Sequence, residues 1–138
     1  MPRRRFTDFD SEWCGQYILG GDEGHTPIPC YSLLEWGRWY AELEHRSLWW
    51  TGNATKWVST VFLGLDHNYC FDGPPILFET MAFLHTGRTM NFFGRGEEPV
   101  ADTLGQERYS SWDDAEIGHQ AMVRIHLVNS KTRVGTVE

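Results

Sequence analysis

Residues 56–83, KWVSTVFLGLDHNYCFDGPPILFETMAF, decide the reading of this chain: they form two hydrophobic stretches of strand character with acid, base and hydroxyl groups among the apolar residues. Side chains alternate along a strand, so Trp57, Ser59, Val61, Leu63, Leu65 and His67 share one face and Val58, Thr60, Phe62, Gly64 and Asp66 the other. Both faces are largely apolar, which predicts a central strand. Asp72-Gly73-Pro74-Pro75 forces a turn before the second strand, Ile76 to Phe83, giving a hairpin with a long loop. A strand built only for packing has no use for Asp66, His67 or Glu79. An unpartnered buried polar group costs roughly 2–7 kcal/mol, so such groups end up paired, at a rim or in a pocket.

Outward from this hairpin, Ser32 and Glu35 make a capping box, and Leu33, Leu34, Trp36, Trp39, Tyr40 and Leu43 keep the helical period, predicting a helix from Leu33 to His45. Arg46 to Lys56 reads as a loop or short extension containing Trp49 and Trp50. Upstream, residues 1–16 read as an irregular arm, Gln16 to Leu19 as a short strand and Gly20 to Pro29 as a loop. Downstream, strands are expected at Arg88 to Phe93 and Gln106 to Tyr109. A second helix, capped by Ser110 or Ser111 with Asp113, Asp114 and Glu116 in its first turns, is expected to run to about Leu127, followed by a frayed tail over 129–138. The expected fold is α+β, a small antiparallel sheet built on the central hairpin with two helices on one face.

At 138 residues the chain reads as a single domain. Cys14, Cys30 and Cys70 show neither disulfide nor zinc spacing, and no signal peptide or long apolar run is present, so a cytoplasmic setting without membrane contact is expected. A formal charge of −7, from 12 basic against 19 acidic residues, argues against a broad duplex nucleic-acid surface. Seven tryptophans exceed what one small core needs and point to a homo-oligomer or to stacking platforms, Trp57 among them.

Trp112, Ala115, His119, Met122 and His126 form the inward stripe of the last helix, so His119 points at the sheet. There it has the opportunity to meet Asp66 and His67 at the end of the first strand, and Glu79 and Thr80 in the second. Two imidazoles can divide general base and general acid roles, Asp66 or Glu79 can orient them, and Ser59 or Thr60 can hold a phosphate oxygen. Arg108 and Tyr109, just before the helix cap, are placed to clamp a phosphate. Two other readings compete: a buried polar network tying helix to sheet, with Asp66 capping its own turn, and a divalent metal held by His67, His119 and Asp66 or Glu79. The adjacent Asp66 and His67 cannot easily both point inward from a regular strand, which counts against the metal; no cofactor is expected. No Walker loop, dinucleotide fingerprint or G-x-S-x-G elbow occurs.

Leu34-Glu35-Trp36, the run from Val58 to Asn68, Gly73-Pro74-Pro75, Phe78-Glu79-Thr80-Met81, Arg108-Tyr109-Ser110 and Gly118-His119 together resemble a family of small, mostly uncharacterised proteins encoded by bacteriophages and prophages. The resemblance covers about residues 30 to 125. It departs at Tyr69-Cys70-Phe71-Asp72, where a glycine-rich loop is more usual, and in the longer segment from Phe83 to Glu107. It implies a small accessory protein in the host cytoplasm, of a class that manipulates host defence or metabolism. The expected function is recognition of a small nucleotide-derived host signal and cleavage of its phosphodiester or pyrophosphate bond, with His67, His119, Glu79 and Asp66 catalytic and Ser59, Thr60, Thr80, Arg108, Tyr109 and Trp57 binding. A non-catalytic sponge for such a nucleotide and a module that inhibits a host protein are the alternatives.

Overall fold

A computed structural model describes residues 13–70, 72–91, 94 and 96–128. The fold is α+β. A two-stranded antiparallel sheet pairs β1 (Tyr17–Gly20) with β2 (Thr26–Pro29), and a four-stranded antiparallel sheet runs in the order β3 (Ser47–Gly52), β4 (Lys56–Phe62), β5 (Phe78–Asn91), β6 (Glu97–Tyr109). The helices among the described residues are α1 (Leu33–Tyr40), α2 (Leu43–Arg46) and α3 (Trp112–Val123), α3 passing into a π-type turn at Arg124–Val128. Most of the expected arm, 1–12, and the expected tail, 129–138, lie outside the described residues.

The central hairpin sets the core. Val58, Thr60 and Phe62 of β4 and Phe78, Thr80 and Ala82 of β5 are fully buried, and they alternate with half-buried Ser59, Val61, Glu79 and Met81. Period-two burial of this kind means the helices cover one face only. α3 presses Ala115, His119 and Met122 onto that face, and the aromatic residues of α1 meet its Phe62 end, where Trp39 sits edge-on to Phe62 at 5.7 Å.

Gly64 explains how α1 docks. Its φ of 75° lies in the left-handed region, and a Cβ there would stand 2.6 Å from the Tyr40 ring. The close approach lets the Trp36 indole donate to both Tyr17 O, at 3.1 Å, and Gly64 O, at 3.2 Å, while the Tyr40 hydroxyl donates to Phe62 O at 3.2 Å. Burial pushes the Tyr40 phenol above its ordinary value, with nearby Arg46 pulling partly back.

Several boundaries differ from the sequence reading. The helix expected over Leu33–His45 breaks at Glu42, whose backbone is extended, because His45 folds back to stack on Trp39 and bonds the Trp39 carbonyl at 2.6 Å. The loop expected at Arg46 to Lys56 is instead β3 and its turn, where the Asn53 side chain accepts from the amides of Thr55 and Lys56 at 2.9 and 3.0 Å. The end of the expected loop over Gly20 to Pro29 is a strand, held by pairing with β1. Of the strand expected at Arg88 to Phe93, Arg88 to Asn91 belong to β5 and Phe92 and Phe93 lie outside the described residues; the strand expected at Gln106 to Tyr109 is the end of β6, and register shifts at Ala82/Phe83 and His85/Thr89 hid the continuity of these two long partners.

Candidate functional site

His119 is buried at 6% exposure with both ring nitrogens engaged: Nδ1 bonds Thr60 Oγ1 at 2.7 Å and Nε2 bonds Thr51 Oγ1 at 2.9 Å. Thr60 in turn bonds its cross-strand partner Thr80, hydroxyl to hydroxyl, at 2.6 Å. A neutral imidazole donates from one nitrogen and accepts at the other, so this chain of hydroxyls satisfies it in either tautomer. Burial holds the His119 pKa below its ordinary value of 6.5, favouring that neutral form. At the far end the Tyr109 phenol lies against Gly118, so close that a Cβ at 118 would overlap the ring. Burial raises the Tyr109 pKa, with Thr80 beside it pulling partly back. Thr51 is a member that the sequence reading missed, because β3 was read as a loop.

The other expected catalytic groups do not join His119. Asp66 stands past the end of β4, where one carboxylate oxygen accepts from the amides of Asn68, at 2.8 Å, and Ile76, at 3.0 Å, and so closes the base of the hairpin loop. Nδ1–H of His67 donates to its own neighbour's carbonyl, Leu65 O, at 2.7 Å. Glu79 lies on the opposite face of the sheet, bonded by its β6 neighbours Arg108, at 2.8 Å, and Gln106, at 2.5 Å. Ser59 and Trp57 share that opposite face by alternation, and Thr60 and Thr80 are sealed in the core. Strand parity, which sends odd and even residues of β4 and β5 to different faces, parts Glu79 from His119, while Asp66 and His67 lie beyond the end of β4. Among the described residues no group of three His, Cys, Asp or Glu is gathered as metal ligands would be.

Among the described residues one hollow of about 450 Å³ lies between β6 and α3 at Gln106, Met122 and His126, and three others lie along the loop between β1 and β2 and the start of α3. One hollow of about 460 Å³ is bounded by Glu23, His25, Pro74, Ser111, Trp112 and Asp113. A second of about 270 Å³ adjoins it through Glu23, His25 and Trp112 and adds Trp39, Glu44 and His45. A third of about 580 Å³ adjoins the first through Pro74 and Ser110 and brings in Asn68, Arg108, Tyr109 and Asp114. Shared lining residues set the three hollows side by side, and together they are called the groove.

Stacked rings build its walls. The His25 imidazole lies on Trp112 at 3.7 Å and 7°, the His45 imidazole on Trp39 at 4.2 Å and 9°, and Trp49 meets Trp112 edge-on at 5.0 Å. His25 also approaches Glu23 at 3.7 Å. The carboxylates of Glu23, Glu44, Asp113 and Asp114 outnumber the lone cation Arg108 along the described lining, and Arg108 is already paired with Glu79. Such a groove attracts positive charge and flat apolar groups, and it repels anions. Of the expected ligand-binding residues, Arg108 and Tyr109 border it. His25 and His45 carried no motif in the sequence, and only the tertiary fold brings them to one hollow.

No protein-family model, no curated protein and no solved structure matches the chain. No helix among the described residues is long and apolar enough to cross a membrane.

Proposed function

We propose that this protein works by binding rather than by histidine chemistry, as an interaction module whose groove takes a basic segment of a partner protein. The observation that carries the reading is the groove's composition: parallel ring stacks at Trp112 and Trp39, with Glu23, Glu44, Asp113 and Asp114 along the same lining. Lysine or arginine side chains would lay their stems and charges over the aromatic walls and pair with the carboxylates. The residues expected to cleave a phosphodiester are each occupied by structural bonds, and the acidic lining disfavours a phosphate-bearing ligand. The setting is the one that the family resemblance implies, a phage accessory protein acting on a host component in the cytoplasm.

A second reading, sequestration of a nucleotide-derived signal, is favoured by one feature: Arg108, Tyr109 and Asn68 line a single hollow of about 580 Å³. One experiment separates the two. Tryptophan fluorescence is titrated with a Lys/Arg-rich decapeptide, its Glu-rich counterpart, and a panel of cyclic and linear nucleotides. The first reading expects saturable binding of the basic peptide alone, weakened by salt and by Glu23→Gln with Glu44→Gln. Nucleotide binding without peptide binding would transfer support to sequestration, and altered nucleotide would restore catalysis.

A further inference from the structure

Both histidine–tryptophan stacks border the hollow of about 270 Å³. His25 comes from the turn between β1 and β2 and lies on Trp112, the first residue of α3, at 3.7 Å and 7°. His45 lies on Trp39 at 4.2 Å and 9°, and its bond to the Trp39 carbonyl at 2.6 Å holds the ring over the residue that it covers. An imidazole laid flat on an indole has its outer face left to offer. The His25 side chain keeps 40% of its surface exposed, so that face is open to a ligand.

Carboxylates accompany the rings. Glu23 Oε1 stands 3.7 Å from His25 Nδ1, and with 82% of its side chain exposed the carboxylate can swing toward a group lying on the imidazole. Glu44 lines the same hollow beside His45. Among the described residues no lysine or arginine lines it, and Arg46, next in the chain to His45, lies over the Tyr40 ring at 5.5 Å instead. The positive charge that these carboxylates call for is therefore not supplied by the lining itself.

We propose that this hollow is an arginine subsite: the partner segment enters it with an arginine, and a lysine at that position binds more weakly. The proposal rests on the reading of the groove as a site for a basic segment and adds the residue that it selects. Three properties are needed together. A flat ring face is matched by a flat group, an acidic lining by positive charge, and carboxylates at the ring edge by N–H donors lying in the plane of the stack. The guanidinium has all three, being planar, always charged, forked in its donors and weakly hydrated. The lysine ammonium is a compact, strongly hydrated point charge, so it answers the carboxylates but not the ring face. A nucleobase or an aromatic side chain answers the ring face but brings no positive charge to the carboxylates.

Isothermal titration calorimetry tests this with decapeptides of one sequence whose basic positions are filled by arginine, by lysine, or by citrulline, which keeps the flat shape without the charge. The arginine peptide is expected to bind at least about tenfold more tightly than either of the others. His25→Ala removes the open ring face and should bring the arginine-to-lysine ratio below about threefold. Glu23→Gln with Glu44→Gln should bring the arginine peptide down to the level of the citrulline peptide. Circular dichroism establishes that each variant is folded, and if one is not, the three peptides on the parent chain decide. Equal affinity for arginine and lysine, or a ratio untouched by His25→Ala, overturns the proposal and leaves the groove reading standing. Citrulline binding as tight as arginine also overturns it. Absence of binding by all three peptides overturns that reading together with the proposal.

Discussion

His119 on α3 and Thr60 on β4 share a hydrogen bond of 2.7 Å inside the core, with Thr51 and Thr80 continuing it on either side. This bond fastens the last helix to the middle of the sheet and fixes the helix's rotation, because an imidazole with two committed nitrogens accepts only one orientation. The histidine with the strongest sequence claim to chemistry is therefore a fastener.

Its removal should be felt as stability. His119→Ala leaves the Thr60 and Thr51 hydroxyls without their shared partner and opens space beneath α3, and it is expected to cost about 1–3 kcal/mol in denaturant unfolding. Thr60→Val should cost a similar amount. The double variant should cost less than the sum of the singles, because the two residues belong to one network. Strict additivity, or an unchanged midpoint for His119→Ala, would contradict the fastener role.

The same group predicts an acid dependence. Burial lowers the folded His119 pKa below 6.5, so near and below that pH the unfolded chain binds a proton that the folded chain refuses. Stability from this group is complete above pH 6.5 and declines on acidification from there until the folded imidazole itself titrates. Melting curves across this window should show a steeper acid loss in the parent than in His119→Gln, which has no proton to take up. Equal slopes would remove His119 as the cause.

Asp66 is expected to act through the loop it closes. Asp66→Ala frees the amides of Asn68 and Ile76 and should cost about 1–2 kcal/mol, with Asp66→Asn recovering part of it through the remaining carbonyl oxygen. Amide hydrogen exchange should rise first at those two positions. Loss of ligand binding at unchanged exchange would point to a direct role instead.

Gly64 and Gly73 offer a paired test of close approach. Both have left-handed φ, 75° and 80°, but a Cβ at 64 meets the Tyr40 ring at 2.6 Å and one at 73 meets nothing within 4 Å. Alanine at either position incurs the left-handed strain of about 1–2 kcal/mol. Gly64→Ala should lose roughly 1–3 kcal/mol more from overpacking, and this extra loss should shrink in Tyr40→Ala. Equal costs at the two sites would mean that the ring yields freely.

The four-residue polar chain was only partly legible in the sequence. Helical period aims His119 inward, and β period puts Thr60 and Thr80 on one face of their strands, so three members can be drawn from local pattern. Thr51 cannot, because a strand containing adjacent Trp49 and Trp50 lacks alternation and is recognised only by its pairing with β4. Sequence alone fixed the α+β class, the central hairpin, the capped last helix and the buried stripe, since each follows from the spacing of neighbours along the chain. The tertiary structure alone decided that Glu79 faces away from His119, that Asp66 serves its own loop, and that His25 and His45 line one hollow between Trp112 and Trp39. Those outcomes depend on strand register and on the docking of distant segments, where a shift of one residue turns a side chain to the other face.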